Sequence, residues 1–185
     1  IIEQDLTDKF SLCITSPPYL NTFDYTDIYR PELFLGQFIN SMSGLYDLRL
    51  NTVRSHVQAK WNKPTQKNFG TLYDVAIREI LSRQNHLMHK DIPIMIQAYF
   101  EDMQSILSTL KSKAKNNAEL WLVVSTSAYA GIEIPVDMII GEIGNKSGWY
   151  LKDIGVLRYL KKRKSKYSNE ITQLRESVVI FTASK

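Results

Sequence analysis

Apolar residues fall along this chain in two rhythms. Phe10-Ser11-Leu12-Cys13-Ile14 is a short apolar run closed by Thr15-Ser16-Pro17-Pro18, which predicts a buried strand stopped by proline. Ile96, Tyr99, Phe100, Met103, Ile106, Leu107 and Leu110 recur at helical spacing. They predict one long amphipathic helix, with Asp91 as its cap and Pro93 in its first turn. Leu120 to Val124 reads as a second buried strand. A helix opened by Pro135 follows, with Val136, Ile139, Ile140 and Ile143 on one face and Gly148 just past its end. Trp149 to Leu160 and Ser177 to Phe181 read as the last two strands.

Residues 20–90 have a different texture, polar and aromatic with short helical stretches. Pro31 is placed as the first residue of a helix to Phe38. Leu72, Ala76 and Ile80, with Ile77 and Leu81 beside them, predict another helix. The segment reads as a mainly helical insertion on a scaffold, not as a core element. The resulting order is strand, insertion, helix, strand, helix, strand, strand. Alternating strands and helices predict an α/β fold with a parallel sheet. The last two strands have no helix between them, so they are expected to pair antiparallel at one edge.

Composition narrows the class. In 185 residues, 44% are hydrophobic and 23% charged, which is ordinary for a globular domain and too apolar for a disordered chain. No apolar run is long enough to span a bilayer, and the first residues do not read as a signal peptide. A single cysteine, Cys13, excludes an internal disulfide and a cysteine-based zinc site. A soluble cytoplasmic protein without membrane partners is the expectation.

The net charge of +4 becomes informative once it is located. Arg158, Lys161, Lys162, Arg163, Lys164 and Lys166 lie close together with no acid among them, and without them 17 bases face 19 acids. A local basic patch on a near-neutral body suits a polyanion such as DNA. A solvated loop is the plainer alternative.

Thr15-Ser16-Pro17-Pro18-Tyr19 carries the chemistry. It directly follows a strand, where open α/β sheets place their ligands. Ser16 and Pro17 each precede a proline and are pushed toward extended backbone. Pro17 and Pro18 have no N–H, so the corner offers carbonyl acceptors with few competing donors. Ser16 adds a hydroxyl and Tyr19 an aromatic face. A nucleobase amino group, whose lone pair is delocalised into the ring, needs such acceptors to make its nitrogen nucleophilic. An aromatic platform holds the base once it is flipped from the duplex.

On these residues the chain resembles the S-adenosylmethionine-dependent DNA amino-methyltransferases. Their motif has the form Asp/Asn/Ser-Pro-Pro-Tyr/Phe, and the serine version after threonine resembles the cytosine-N4 branch. The resemblance continues through Leu20-Asn21-Thr22-Phe23-Asp24-Tyr25 and Arg30-Pro31-Glu32-Leu33. It recurs at Tyr99-Phe100-Glu101-Asp102-Met103 and Arg175-Glu176-Ser177-Val178-Val179. It implies that Ser16 and the Pro17 carbonyl bind the target amino group, that Tyr19 stacks on the base and that Pro18 fixes the turn. Asn21, Asp24 and Tyr25 would line the substrate pocket, Thr15 and Ser16 would border the cofactor, and the basic cluster would contact DNA.

By the same resemblance the fold is a partial Rossmann-like methyltransferase. Its strands correspond to the fourth to seventh of that family's sheet. Residues 1–19 and 91–185 would form the catalytic half, and 20–90 a target-recognition region. The family's glycine-rich cofactor loop has no counterpart, because no Gly-x-Gly occurs among the eight glycines. The cofactor half is therefore expected on a preceding segment, on a following one as in permuted members of the family, or on a second chain, with preference for the first, and the chain is expected to be inactive without it. The implied function is methylation of cytosine N4 in DNA, alongside a restriction enzyme. The alternatives are adenine N6, an RNA base, or a non-catalytic DNA-binding or assembly half. Cys13, inside a strand, reads as packing rather than as a nucleophile. His56, His86 and His89 have no partners at metal-ligand spacing.

Overall fold

The computed structural model describes residues 8–161 and 171–184. Lys162, Arg163, Lys164 and Lys166 of the basic cluster lie outside the described residues. Among the described residues, no helix is long and apolar enough to cross a membrane.

Four strands form one sheet: β1 (Phe10–Thr15), β2 (Ala114–Ser125), β5 (Tyr150–Lys161) and β6 (Gln173–Thr182). Their spatial order is β1-β2-β6-β5. Strand β1 runs parallel to β2, with Cys13 beside Leu120 and Thr15 beside Leu122. Strand β6 is antiparallel to both β2 and β5. The sheet is therefore mixed, and the last two strands form the antiparallel pair that the absence of an intervening helix predicts.

Alternation along β2 sorts the two faces of the sheet. Ala118, Leu120, Leu122 and Val124 are all fully buried, as are Val179 and Phe181 on β6. Helices α5 (Ile92–Ser112) and α6 (Val136–Lys146) contribute Ile96, Tyr99, Phe100, Met103, Leu107, Ile139, Ile140 and Ile143 to the same core. On β1 the alternate residues Leu12 and Ile14 are 53% and 62% exposed, and Ile14 pairs with the half-buried Trp121. The described helices thus leave that part of the opposite face open.

Two glycines explain how α6 meets the sheet. A Cβ on Gly144 would stand 2.2 Å from the ring of buried Phe181, so only a bare Cα permits this approach. Gly148 ends the helix at φ +85, a conformation in which other residues are strained.

Asp91 occupies the cap position of α5, but its side chain makes no capping hydrogen bond, and its carbonyl accepts from the Met95 amide instead. The segment 20–90 folds as α1 (Tyr25–Ile28), α2 (Arg30–Leu35), α3 (Met42–Leu50) and α4 (Thr71–Ser82). Helix α4 does not match the reading of this segment as lying outside the core. Phe69, Tyr73 and Ile80 are buried in the same cluster as α5, because α4 has a well-separated apolar face. By contrast, Leu35, Phe38 and Met42 stand exposed around α2 and α3.

A small hairpin, β3 (Ser127–Tyr129) and β4 (Ile132–Ile134), is absent from the sequence reading. It turns through Ala130 at φ 50 and Gly131 at φ 77. Both central residues lie in the left-handed region, as a tight two-residue hairpin turn requires.

Candidate active site at the end of strand β1

The apolar run of β1 stops where Pro17 and Pro18 remove the amides that a ladder would need. The chain then turns across the end of β2. Ser16 is exposed, and its hydroxyl lies 3.3 Å from both the Val123 carbonyl and the Tyr19 hydroxyl, to which it can donate. Either donation spends its one proton within the protein. The oxygen's remaining lone pairs are then available as acceptors.

Tyr19 is half-buried. Its hydroxyl donates to Glu176 Oε1 at 2.8 Å, and Glu176 Oε2 accepts from Arg158 Nε at 2.5 Å. Burial, with the negative Glu176 beside it, pushes the Tyr19 phenol up, and the Ser16 hydroxyl only partly offsets this. For Glu176 the Arg158 guanidinium dominates and holds the carboxyl below the usual carboxylate range. Glu176 is thus an anion that accepts two hydrogen bonds, one of them charge-assisted.

Beyond Tyr19 the corner is pinned from below. The Leu20 carbonyl accepts from the Tyr129 hydroxyl at 3.0 Å and from the Ser127 hydroxyl. Asn21 closes a side-chain turn, accepting from the Phe23 amide at 3.0 Å. Thr22 follows at φ 64, a strained position for a β-branched residue. Its amide donates to the Ser55 carbonyl at 3.1 Å.

A cleft of about 360 Å³ opens here, lined by Tyr19, Asn21 and Thr22 on one side and by Ser125 to Ala130 on another. Leu87, Met88 and Ile92 add an apolar wall, and Leu160, Lys161 and Leu174 come from the β5–β6 hairpin. Its size suits a small planar ring, and among the described residues no carboxylate lines it.

The residues singled out in the sequence separate into groups. Tyr19 and Asn21 face the cleft, with Ser16 within hydrogen-bonding reach of Tyr19. Thr15 ends β1, and Pro17 and Pro18 are half-buried in the turn. Asp24 is buried and engaged elsewhere. It caps α1 through the Thr26 and Asp27 amides, accepts from the Thr26 hydroxyl and pairs with Arg49 Nε at 2.6 Å. Tyr25 is exposed and stacks on Tyr29, with ring centroids 6.5 Å apart. Lys161 lines the cleft, and Arg158 reaches Tyr19 through Glu176.

Sequence reasoning did not select Glu176 as a site residue. The available signal was an acid directly before the apolar run Ser177 to Phe181, at a position the strand buries. Thr22 gave no signal, since neither its strain nor its place in the cleft follows from residue type.

A second charged cluster braces the site from behind. Arg54 pairs with Glu101 at 2.5 Å and Asp102 at 2.6 Å on α5, tying the 50–70 loop to the helix that carries Tyr99. Burial alone would raise Glu101. The Gln66 amide, the Arg54 guanidinium and the Thr65 amide and hydroxyl outweigh it and bring the carboxyl down to about 2.

No protein-family model matches the chain. Over 160 residues it is 28% identical to the Type II methyltransferase M.AvaI of Nostoc sp. (strain PCC 7120), and equally to M.AvaI of Anabaena variabilis. Those matches cover 81% of this chain and 33% of each relative. The Type II methyltransferase M.BsoBI of Geobacillus stearothermophilus is 28% identical over 198 residues, covering 94% of this chain and 38% of its own length. The chain thus spans about a third of the length of these relatives. The methyltransferase resemblance carried by Ser16 to Tyr19 is borne out along most of the chain.

Proposed function

We propose that this chain is the amine-binding part of a DNA methyltransferase that transfers a methyl group to an exocyclic amino nitrogen, with cytosine N4 the favoured target. The observation that carries this reading is the Ser16-Pro17-Pro18-Tyr19 corner at the end of β1. It combines an exposed hydroxyl whose proton is spent inward with a half-buried aromatic ring beside a cleft of base-like size.

In this reading an extruded base lies against the Tyr19 ring. Its amino group donates one hydrogen to Ser16 Oγ and one to the Pro17 carbonyl. Both acceptors draw the nitrogen toward a pyramidal geometry, in which its lone pair leaves the ring system and becomes nucleophilic. They also stabilise the positive charge that develops on nitrogen until the surplus proton is released. The prolines supply this polarity without motion, since the corner is rigid before the base arrives.

S-adenosylmethionine is the donor that the family resemblance implies. The residues of this chain do not by themselves fit its nucleoside. The chain contains no Gly-x-Gly, and among the described residues the Tyr19 cleft offers no carboxylate for a ribose. We place the donor site outside residues 1–185, bordered by Thr15 and Ser16. The exposed side chains of Leu12 and Ile14 on β1 support further structure packing there, since strands in a parallel arrangement are ordinarily covered on both faces. Host DNA protected beside a restriction enzyme is the setting this reading implies. Arg158 and Lys161, with the rest of the 158–166 cluster, would neutralise phosphates.

Incubation of the full-length protein with radiolabelled S-adenosylmethionine and duplex DNA or RNA tests the reading. Label in DNA supports it. Label in RNA alone, or in neither, overturns it.

A further inference from the structure

Tyr19 is tethered at the far end of its ring. Glu176 receives the phenolic proton on one oxygen and Arg158 Nε on the other. Arg158 and Glu176 are directly opposed in the β5–β6 register, so backbone pairing brings them together. Across the sheet, Glu176 also stands opposite Ser125, whose residue lines the cleft. The Glu176 side chain is nearly buried, at 11% exposure, whereas the Arg158 side chain on β5 is 66% exposed.

We propose that Glu176 is a positioning residue for methyl transfer: it fixes the plane of the Tyr19 ring against the extruded base, and Arg158 holds Glu176 in place. This inference rests on the reading of Tyr19 as the stacking residue. A tyrosine side chain rotates about two bonds, and a stacking platform has to stop both rotations. A hydrogen bond at the hydroxyl, the atom farthest from the backbone, restrains them with the greatest leverage. Ionised Glu176 makes that bond stronger than a neutral acceptor would. Arg158 also makes the carboxylate a weak base, which suits orientation better than proton removal. Arg158 belongs to the cluster proposed to meet phosphate, so the tether joins the strand-end corner to the DNA-facing hairpin.

The test uses the full-length protein as wild type, Tyr19→Phe, Glu176→Gln and the double variant. Each single substitution is expected to lower kcat about 10-fold with KM for DNA nearly unchanged, and the double to lose no more than the worse single. Independent losses that multiply in the double variant would overturn the proposal. Tyrosine ring NMR of ¹³C-labelled protein gives a readout separate from activity. The Tyr19 signal, identified by its loss in Tyr19→Phe, should shift and broaden in Glu176→Gln, and an unchanged signal overturns the tether. Absence of transfer by the wild type refutes the methyltransferase reading alone, and the NMR result still decides whether Glu176 holds the ring.

Discussion

The Ser16 hydroxyl stands 3.3 Å from the backbone carbonyl of Val123, 107 residues away in the chain, because β1 runs parallel to β2 and ends with Thr15 beside Leu122. That neighbour decides the polarity of the hydroxyl. A proton directed at Val123 leaves lone pairs for an incoming amine, whereas an isolated serine could present either. Ser16→Ala removes the acceptor with little change in packing, since the residue is exposed. Methyl transfer should fall about 100-fold while DNA affinity stays within error, by analogy with deletion of one polar group that meets transition-state charge. Parallel transfer and DNA-binding titrations check this, and loss of both together would mark Ser16 as structural.

Acid should weaken the fold in two windows. His56 is buried and lies below its ordinary value of 6.5, chiefly through desolvation. Its contribution is complete above 6.5 and is lost as pH falls from there toward its lower folded value. Glu101 lies at about 2 against an ordinary 4.5, so its contribution is complete above 4.5 and is lost between 4.5 and about 2. Denaturant melts across pH should show a two-stage decline. His56→Leu should flatten the upper stage and Glu101→Gln should shrink the lower, to which Asp137, held down by Arg175 and Ser177, also contributes.

Arg54 holds two adjacent carboxylates, Glu101 and Asp102. Arg54→Ala leaves like charges side by side and frees the 50–70 loop, at a cost of about 3 kcal/mol. Chemical denaturation at neutral pH should show the loss, and raised salt should recover part of it.

Gly144→Ala places a methyl group inside the volume of the Phe181 ring. Overpacking of this kind costs about 2 kcal/mol and lowers Tm by several degrees. Gly144→Ala combined with Phe181→Leu should recover part of the loss, which calorimetry can resolve.

Thr22 pays a backbone penalty at φ 64. Thr22→Gly should raise stability by about 0.5–1 kcal/mol while loosening the corner. A more stable but slower protein is the expected outcome, measured by thermal melts beside transfer rates.

Much of this is legible in the sequence. The α5 stripe from Ile96 to Leu110 repeats often enough to fix its face, and two prolines stop β1 without help from tertiary contacts. Gly148 marked the end of α6 because only a left-handed residue fits there. Other features were hidden for physical reasons. The hairpin at 127–134 has strands of three residues, too short for alternation to register. Helix α4 lies in a polar stretch, so its apolar face was visible while its docking on the core was not. Asp24 sits within the resembling string, yet its oxygens cap α1 and meet Arg49, contacts that residue type cannot foretell. Glu176 meets Tyr19 only because β6 inserts between β2 and β5, a pairing across 157 residues.

Nucleoside mass spectrometry of DNA from cells expressing the full-length protein tests the central claim most directly. N4-methylcytosine in DNA from cells expressing the wild type, and a marked reduction of it with Ser16→Ala, is the result this account predicts. DNA without any methylated amino group, or equal methylation by both proteins, would contradict it.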